Sequence, residues 1–165
     1  MKKINAEDYF DLVIKGFKKV AISETADTTI VFERLVKAAW MNGIRFNSYI
    51  TTAEDLDKGL LTTYVNKCRA LTRRTRNVYA EAIVCNAVVI CENVTQDAID
   101  LALTRPRANI MMDVFPVIVD LKRGEVYYYK GPIFFRILYN RFEREYIAEH
   151  FTRPLQALID GSKSE

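Results

Sequence analysis

The residues best suited to bind a charged ligand form a basic run in the middle of the chain. Between Lys67 and Arg76 the sequence carries five basic side chains and no acidic one. On a helix, Arg69, Arg73 and Arg76 follow the spacing i, i+4, i+7 and share one face. Guanidinium groups arranged in this way can hold phosphate oxygens through paired hydrogen bonds. The run predicts a nucleic-acid-binding surface that consists of Lys67, Arg69, Arg73, Arg74 and Arg76.

A second interpretation of these arginines is an ordinary solvated helix face. Cations near the end of a helix favour its dipole, and any helix that packs on a core needs a polar side. Arg105 and Arg107 lie beyond the next predicted helix and would strengthen the binding interpretation if the fold brings them close. The charge distribution points the same way, since residues 61–110 carry seven basic and four acidic side chains.

Acidic residues surround a predicted hairpin and suggest a different chemistry. A metal-dependent nuclease places acids and a lysine on adjacent strands, where they hold a divalent ion and orient water. The expected pattern is an aspartate followed by Glu-x-Lys on the next strand, whereas Asp120 is followed by Glu125-Val126-Tyr127. Lys130 falls on the opposite face of that strand from Glu125. Asp113, Asp120 and Glu125 surround the hairpin, and Glu92 ends a strand. Of these acids, Asp120 and Glu125 are better explained as residues that flank a turn.

Cysteine and histidine patterns predict neither a metal site nor a cofactor. The chain has three cysteines and one histidine, and their spacing matches no zinc motif. Cys68, Cys85 and Cys91 are expected to be buried apolar side chains. His150 is expected near the end of a helix, where it favours the dipole. The six glycines form neither a dinucleotide fingerprint nor a phosphate loop, so no cofactor is predicted.

Aromatic residues near the C-terminal third suggest a surface for self-association. Tyr127, Tyr128 and Tyr129 alternate across a predicted strand, and an exposed face of that strand would serve as a platform for bases or for a second subunit. The following helix adds further aromatics beyond one core stripe, namely Phe134, Phe135 and Tyr139. This excess predicts a homodimer.

The first half of the chain is predicted to be mostly helical. Helices are expected over Ala6–Val20 with Asn5 as N-cap, over about Thr29–Met41, and from a Thr52 cap to about Thr75–Asn77. The core face of the third helix is assigned to Leu56, Leu60, Tyr64, Cys68 and Leu71. A short strand is expected over Arg45–Thr51.

The second half is predicted to alternate between strands and helices. Residues 78–92 are either two strands or a helical extension followed by a strand over Ala87–Glu92. Thr95 should cap a helix that ends before Pro106, and Val114–Leu121 should be a strand buried on both faces. Gly124 suits the left-handed position of a turn that leads into a strand over Glu125–Lys130. A last long helix should start at Gly131-Pro132 and be interrupted at Pro154.

These elements predict a single α/β or α+β domain over residues 1–160 with a flexible tail at 161–165. A mixed sheet of about four to five strands, including one antiparallel hairpin, should be covered by about five helices. Half of the 165 residues are hydrophobic, as in ordinary globular proteins. No apolar run approaches the roughly 20 residues that a spanning helix needs, and no signal peptide is evident, so a cytoplasmic location is expected.

Three functions are weighed from the sequence. The first is a nucleic-acid-associated binding protein that uses the basic helix face. The second is a non-catalytic interaction module that forms a homodimer. The third is a hydrolase that uses the hairpin carboxylates with a divalent ion.

Overall fold

The helices and strands alternate along most of the chain. The structure is a computed structural model that describes residues 4–17, 21–25, 28–36, 44–75, 82–105, 114–131 and 137–161. The helices are α1 (Ala6–Gly16), α2 (Lys58–Thr75), α3 (Gln96–Leu103), α4 (Ile137–Ile147) and α5 (Arg153–Gly161), and a π turn (Ala148–Thr152) joins the last two. The strands are β1 (Ala21–Thr25), β2 (Thr28–Val36), β3 (Ile44–Leu56), β4 (Ala82–Val94), β5 (Val114–Asp120) and β6 (Glu125–Tyr127).

The strands form one sheet in which their spatial order equals their order in the chain. Strands β3, β4 and β5 are parallel, and β6 pairs with β5 in the antiparallel sense, which confirms the predicted hairpin and parallel pair. The hairpin of β1 and β2 extends the sheet beyond β3 with antiparallel pairing. The predicted mixed α/β architecture is therefore confirmed. The sheet has six strands in the described residues instead of four to five.

The central strands are buried on both faces because helices cover each side of the sheet. On β4, Val84, Val88 and Ile90 face a core cluster with α1, the π turn and α5. Cys85, Val89 and the other alternate residues face a second cluster with α2 and α3. Strand β5 is buried along nearly its whole length, as its continuous apolar sequence predicts. The helices thus flank the sheet in two layers.

The helix predicted over Thr29–Met41 is wrong. The described residues of that segment lie in β2, where Ile30 pairs with Tyr49 of β3. Thr28-Thr29-Ile30-Val31 is dense in β-branched residues, which favour a pleated strand over a helix. The helical periodicity was accidental, and pairing with a long neighbouring strand decided the local structure.

The predicted start of the third helix is also wrong. Strand β3 continues past Thr51 to Leu56, so Thr52 lies inside a strand and caps nothing. The N-cap of α2 is Asp57, whose carboxylate accepts a hydrogen bond from the Leu60 backbone N–H at 2.7 Å. Register along the parallel β4 holds the longer strand in place, with Asp55 opposite Asn93. Residues 82–94 of the ambiguous segment form the single strand β4.

The predicted cap of the first helix is confirmed, but the helix ends at Gly16 and Phe17 is extended, so it is shorter than the predicted Ala6–Val20. Asn5 caps α1, since its side chain accepts a hydrogen bond from Glu7 N at 3.1 Å. The predicted interruption at Pro154 is a change of register, because the helix passes through the π turn and continues as α5. Proline offers no N–H to the carbonyl of His150, and its ring crowds that carbonyl. The π turn ends two residues before this proline, and the Tyr9 hydroxyl donates to the Phe151 carbonyl within the turn at 2.6 Å.

None of the helices in the described residues combines the length and the apolar composition that a bilayer crossing requires. Strand β6 is shorter than predicted and ends at Tyr127. It pairs only with Ile118–Asp120, so the first half of β5 has no described partner strand on that side. The turn between them contains Gly124 at φ +69°, the left-handed conformation that the sequence predicts.

We predict that Gly124→Ala lowers the free energy of unfolding by about 1–2 kcal/mol, because L-residues disfavour this conformation. An added Cβ would also lie 2.5 Å from the Ile159 Cδ1 atom, which would have to shift. The measurement is urea unfolding followed by circular dichroism. Gly16→Ala is the matched control, since a Cβ at that helical glycine meets nothing within 4 Å. Equal stability of the two variants would contradict a conformational requirement at Gly124.

Candidate functional site

Helix α2 presents the basic run, and most of its predicted core face is confirmed. Tyr64 and Cys68 are buried as expected, and Leu71 is half-buried against the same core cluster. Leu60 is 53% exposed, and Leu56 is buried but belongs to β3. Leu61 and Val65 complete the buried face, because each lies three residues before one of the confirmed core residues.

The structure describes the five predicted binding residues to different extents. Arg69 is exposed, and its guanidinium donates to the Asn66 side-chain oxygen at 2.9 Å. Lys67 is half-buried. Arg73 and Arg74 lie in the last turn of α2, where the structure describes their backbone only. Arg76 lies outside the described residues.

A pocket of about 270 Å³ opens between α2, α3 and β5, and Arg69 is one of its walls. Arg105, which follows α3, lines the same pocket. The fold therefore brings Arg105 close to the basic run, which the sequence alone could not decide. Arg107 lies outside the described residues. The other lining residues are Thr62, Val65, Leu101, Thr104, Val114 and Pro116.

Each element has a physical reason to bring its residues to this pocket. Thr62, Val65 and Arg69 recur at helical spacing on one side of α2. Val114 and Pro116 are two residues apart on β5 and therefore face the same side of the sheet. The pocket floor is apolar because it continues the core cluster of α2, α3 and β5, to which Val65 and Val114 belong.

The chemistry of the pocket suits an anion that carries an apolar or aromatic group. Two guanidinium groups supply donors, whereas Val65, Leu101, Val114 and Pro116 supply apolar surface. None of the described residues that line the pocket is acidic. The hydroxyls of Thr62 and Thr104 donate to the carbonyls of Lys58 and Asp100 in their own helices, so their oxygens face a ligand as acceptors.

The hairpin acids are engaged in structural contacts. Asp120 is buried, and it accepts hydrogen bonds from the Arg123 backbone N–H at 2.9 Å and from the Arg123 guanidinium at 3.0 Å. The Asp120 carboxylate raises the pKa of Arg123. Glu125 accepts from the Tyr127 hydroxyl at 2.6 Å, and burial first, then Glu125, raises the pKa of Tyr127 to about 12. These contacts support the interpretation of Asp120 and Glu125 as turn residues.

Within the described residues, no three His, Cys, Asp or Glu side chains come together closely enough to hold a metal ion. Asp113 lies outside the described residues, and the preceding statement does not include it.

The tyrosines of the β6 region are largely committed to the core. Tyr128 is buried in the cluster under α1 and the π turn, and Lys130 Nζ lies 5.1 Å from its ring centroid. Tyr127 and Tyr129 are half-buried against the two core clusters. They form no open aromatic platform. Phe134 and Phe135 lie outside the described residues, and only the backbone of Tyr139 is described.

A buried polar cluster lies on the opposite face of the sheet, under the π turn. The hydroxyls of Ser48 and Tyr146 are 2.9 Å apart, and the Tyr146 ring stacks on Phe46. His150 stacks on Phe17 with ring centroids 4.4 Å apart, so it packs in the core as well as near a helix end. Asn86 lies opposite Ser48 in the parallel ladder and is fully buried. Neither its amide nitrogen nor its amide oxygen has a hydrogen-bond partner among the described residues.

The three cysteines are free and buried, as predicted. Burial raises the pKa of Cys68 and of Cys91 to about 12. Cys85 and Cys91 share the face of β4 that packs on α2 and α3. These thiols contribute to packing.

Comparison of the chain with protein families, with curated proteins and with solved structures finds no match in any of the three. Functional inference therefore rests on the chemistry of the pocket and its surroundings.

We predict that Asn86→Leu raises the free energy of unfolding by about 1–3 kcal/mol, because it removes a buried amide whose desolvation no hydrogen bond offsets. Urea unfolding of the variant and the parent protein measures the change. Ser48→Ala is the contrasting variant, since it removes the hydrogen bond between the Ser48 and Tyr146 hydroxyls and should lower stability. A loss of stability in Asn86→Leu would contradict the unpaired state of this amide.

We predict that stability falls as the pH rises above about 8.5, where thiols of the unfolded chain begin to ionise. The folded pKa of Cys68 and Cys91 is raised to about 12, so the folded state keeps its protons while the unfolded state loses them. The stability that these thiols contribute is complete below pH 8.5 or so and is lost progressively toward about pH 12. Urea unfolding between about pH 7.5 and 9.5 avoids tyrosine ionisation. A Cys68→Ala/Cys91→Ala variant with an unchanged pH slope would contradict this origin.

Proposed function

We propose that this protein binds nucleic acid through the basic side of α2 and the adjoining pocket. The observation that carries the proposal is the position of Arg69 and Arg105, which belong to different elements and line one pocket. Isolated arginines on a helix are explained by solvation alone. Two arginines that converge on an acid-free pocket from separate elements form an arrangement suited to an anion.

A polyanion fits the arrangement better than a small isolated anion. The run from Lys67 to Arg76 continues the positive charge of the pocket toward the C-terminal end of α2, without an intervening acid. Phosphates repeat along a nucleic-acid strand, so several of these cations can each meet one. Phosphate contacts of this kind position the strand and carry no sequence information by themselves.

Two further expectations belong to the same proposal. The buried free thiols favour a reducing compartment, which is consistent with a cytoplasmic protein. Homodimer formation through the aromatic residues has less support, since Tyr127, Tyr128 and Tyr129 pack against the core. Metal-dependent hydrolysis at the hairpin also has less support, because the Asp120 carboxylate forms an ion pair with Arg123.

We predict that the protein binds labelled oligonucleotides with an affinity that falls steeply with salt, and that Arg69→Ala/Arg105→Ala reduces the slope of log K against log salt by about 1 for each lost phosphate contact. Fluorescence anisotropy over a range of salt concentrations measures the slope. Arg73→Ala/Arg74→Ala should also reduce the slope if the basic run contacts the strand beyond the pocket.

The matched control is Arg141→Ala/Arg153→Ala, which removes the same charge from exposed positions on the helices of the opposite layer. This variant should keep the parental slope. Absence of binding at low salt would overturn the proposal. An equal loss of binding in the control would show that binding depends on the net charge of the protein and not on the arginines of the pocket.

A further inference from the structure

We propose that the pocket receives one unstacked base of a single strand, while Arg69 and Arg105 contact the phosphates on either side of that base. This inference rests on the proposed function and adds the form of nucleic acid that the site accepts. Single-stranded DNA or RNA should bind in preference to the duplex.

The shape and lining of the pocket supply the first argument. A volume of about 270 Å³ is that of a small concavity that is open to solvent on one side. Its apolar walls come from Val65, Leu101, Val114 and Pro116. A base inside a duplex has both faces stacked and its edge paired, so it cannot enter such a concavity. An unpaired base in a single strand can turn out of the strand and bury its faces against these side chains.

The positions of the charges supply the second argument. Arg69 belongs to α2, and Arg105 follows the C-terminal end of α3, so the two arginines line the pocket from different elements. A nucleotide inside a strand has one phosphate on each side of its sugar. A strand that passes over the pocket can therefore place one base between the helices and one phosphate near each arginine.

The hydroxyl groups supply the third argument. Thr62 and Thr104 line the pocket. The Thr62 hydroxyl donates to the Lys58 carbonyl at 2.7 Å, and the Thr104 hydroxyl donates to the Asp100 carbonyl at 2.6 Å. The remaining lone pairs accept hydrogen bonds from the exocyclic amine of a base. None of the described residues that line the pocket is aromatic, so the base is held between aliphatic surfaces.

The test compares four probes on the full chain by fluorescence anisotropy and competition. They are a short single-stranded oligonucleotide, the duplex of the same sequence, a single strand of equal length with abasic sites, and a mononucleotide. The intact single strand should bind about tenfold more tightly than the duplex or the abasic strand, which corresponds to the loss of one buried base.

Pocket-filling variants separate the base contact from the phosphate contacts. Thr62→Leu adds apolar bulk at an exposed position of the pocket wall and leaves both arginines in place. It should lower single-strand affinity to the abasic level without changing affinity for the duplex. Thr63→Leu, exposed on the same helix but not a lining residue, is the matched control. Val65→Phe provides a second filling variant from inside the pocket.

The outcomes distinguish this inference from the proposed function. Equal, salt-sensitive affinity for the single strand, the duplex and the abasic strand would overturn the base pocket and leave nucleic-acid binding intact. If the mononucleotide binds as tightly as the oligonucleotide, the pocket is a site for a free nucleotide. That result would overturn the proposal that the pocket binds a base of a single strand. Failure of all four probes at low salt would overturn both.

Discussion

Burial of β4 on both faces is the constraint on which the rest of this structure depends. The strand is the centre of the parallel part of the sheet, and Val84–Cys91 are almost completely removed from solvent. Parallel strands need crossover connections, and these are nearly always right-handed. Because β3, β4 and β5 follow one another in the same direction across the sheet, two crossovers of the same hand place α2 and α3 on the same face. The pocket is the gap left where the shorter α3 ends beside α2 and above β5.

The opposite face of the sheet buries several polar groups. Ser48 and Asn86 lie next to each other on parallel strands under the C-terminal helix. Tyr146 satisfies Ser48, and Tyr9 satisfies the Phe151 carbonyl in the π turn. The first contact ties α4 to β3, and the second ties α1 to the π turn. The π turn ends two residues before Pro154, and Phe17 stacks on His150 of this turn.

Local signals in the sequence predict the parts of this fold that depend on nearby residues. The Asn5 cap, the Gly124 turn and the doubly buried β5 follow from backbone chemistry and residue pattern, and all are found. The β2 strand was missed because its residues fit helical spacing by chance, while pairing with β3 comes from residues far along the chain. On α2, Leu61 is buried in place of Leu60, and the helix begins after the Asp57 cap instead of after Thr52. The basic run was visible in the sequence, but only the crossover geometry places Arg105 beside Arg69.

Pro116 has a consequence that concerns the sheet as a whole. The first half of β5 has no described partner on the side where β6 ends. A strand edge that is left unpaired is a template on which a second chain can add a strand and start an aggregate. Proline is tolerated at a strand edge when its nitrogen points away from the ladder, because it has no N–H to contribute there. The residue that lines the pocket thus removes one backbone donor from β5 that an added strand would need.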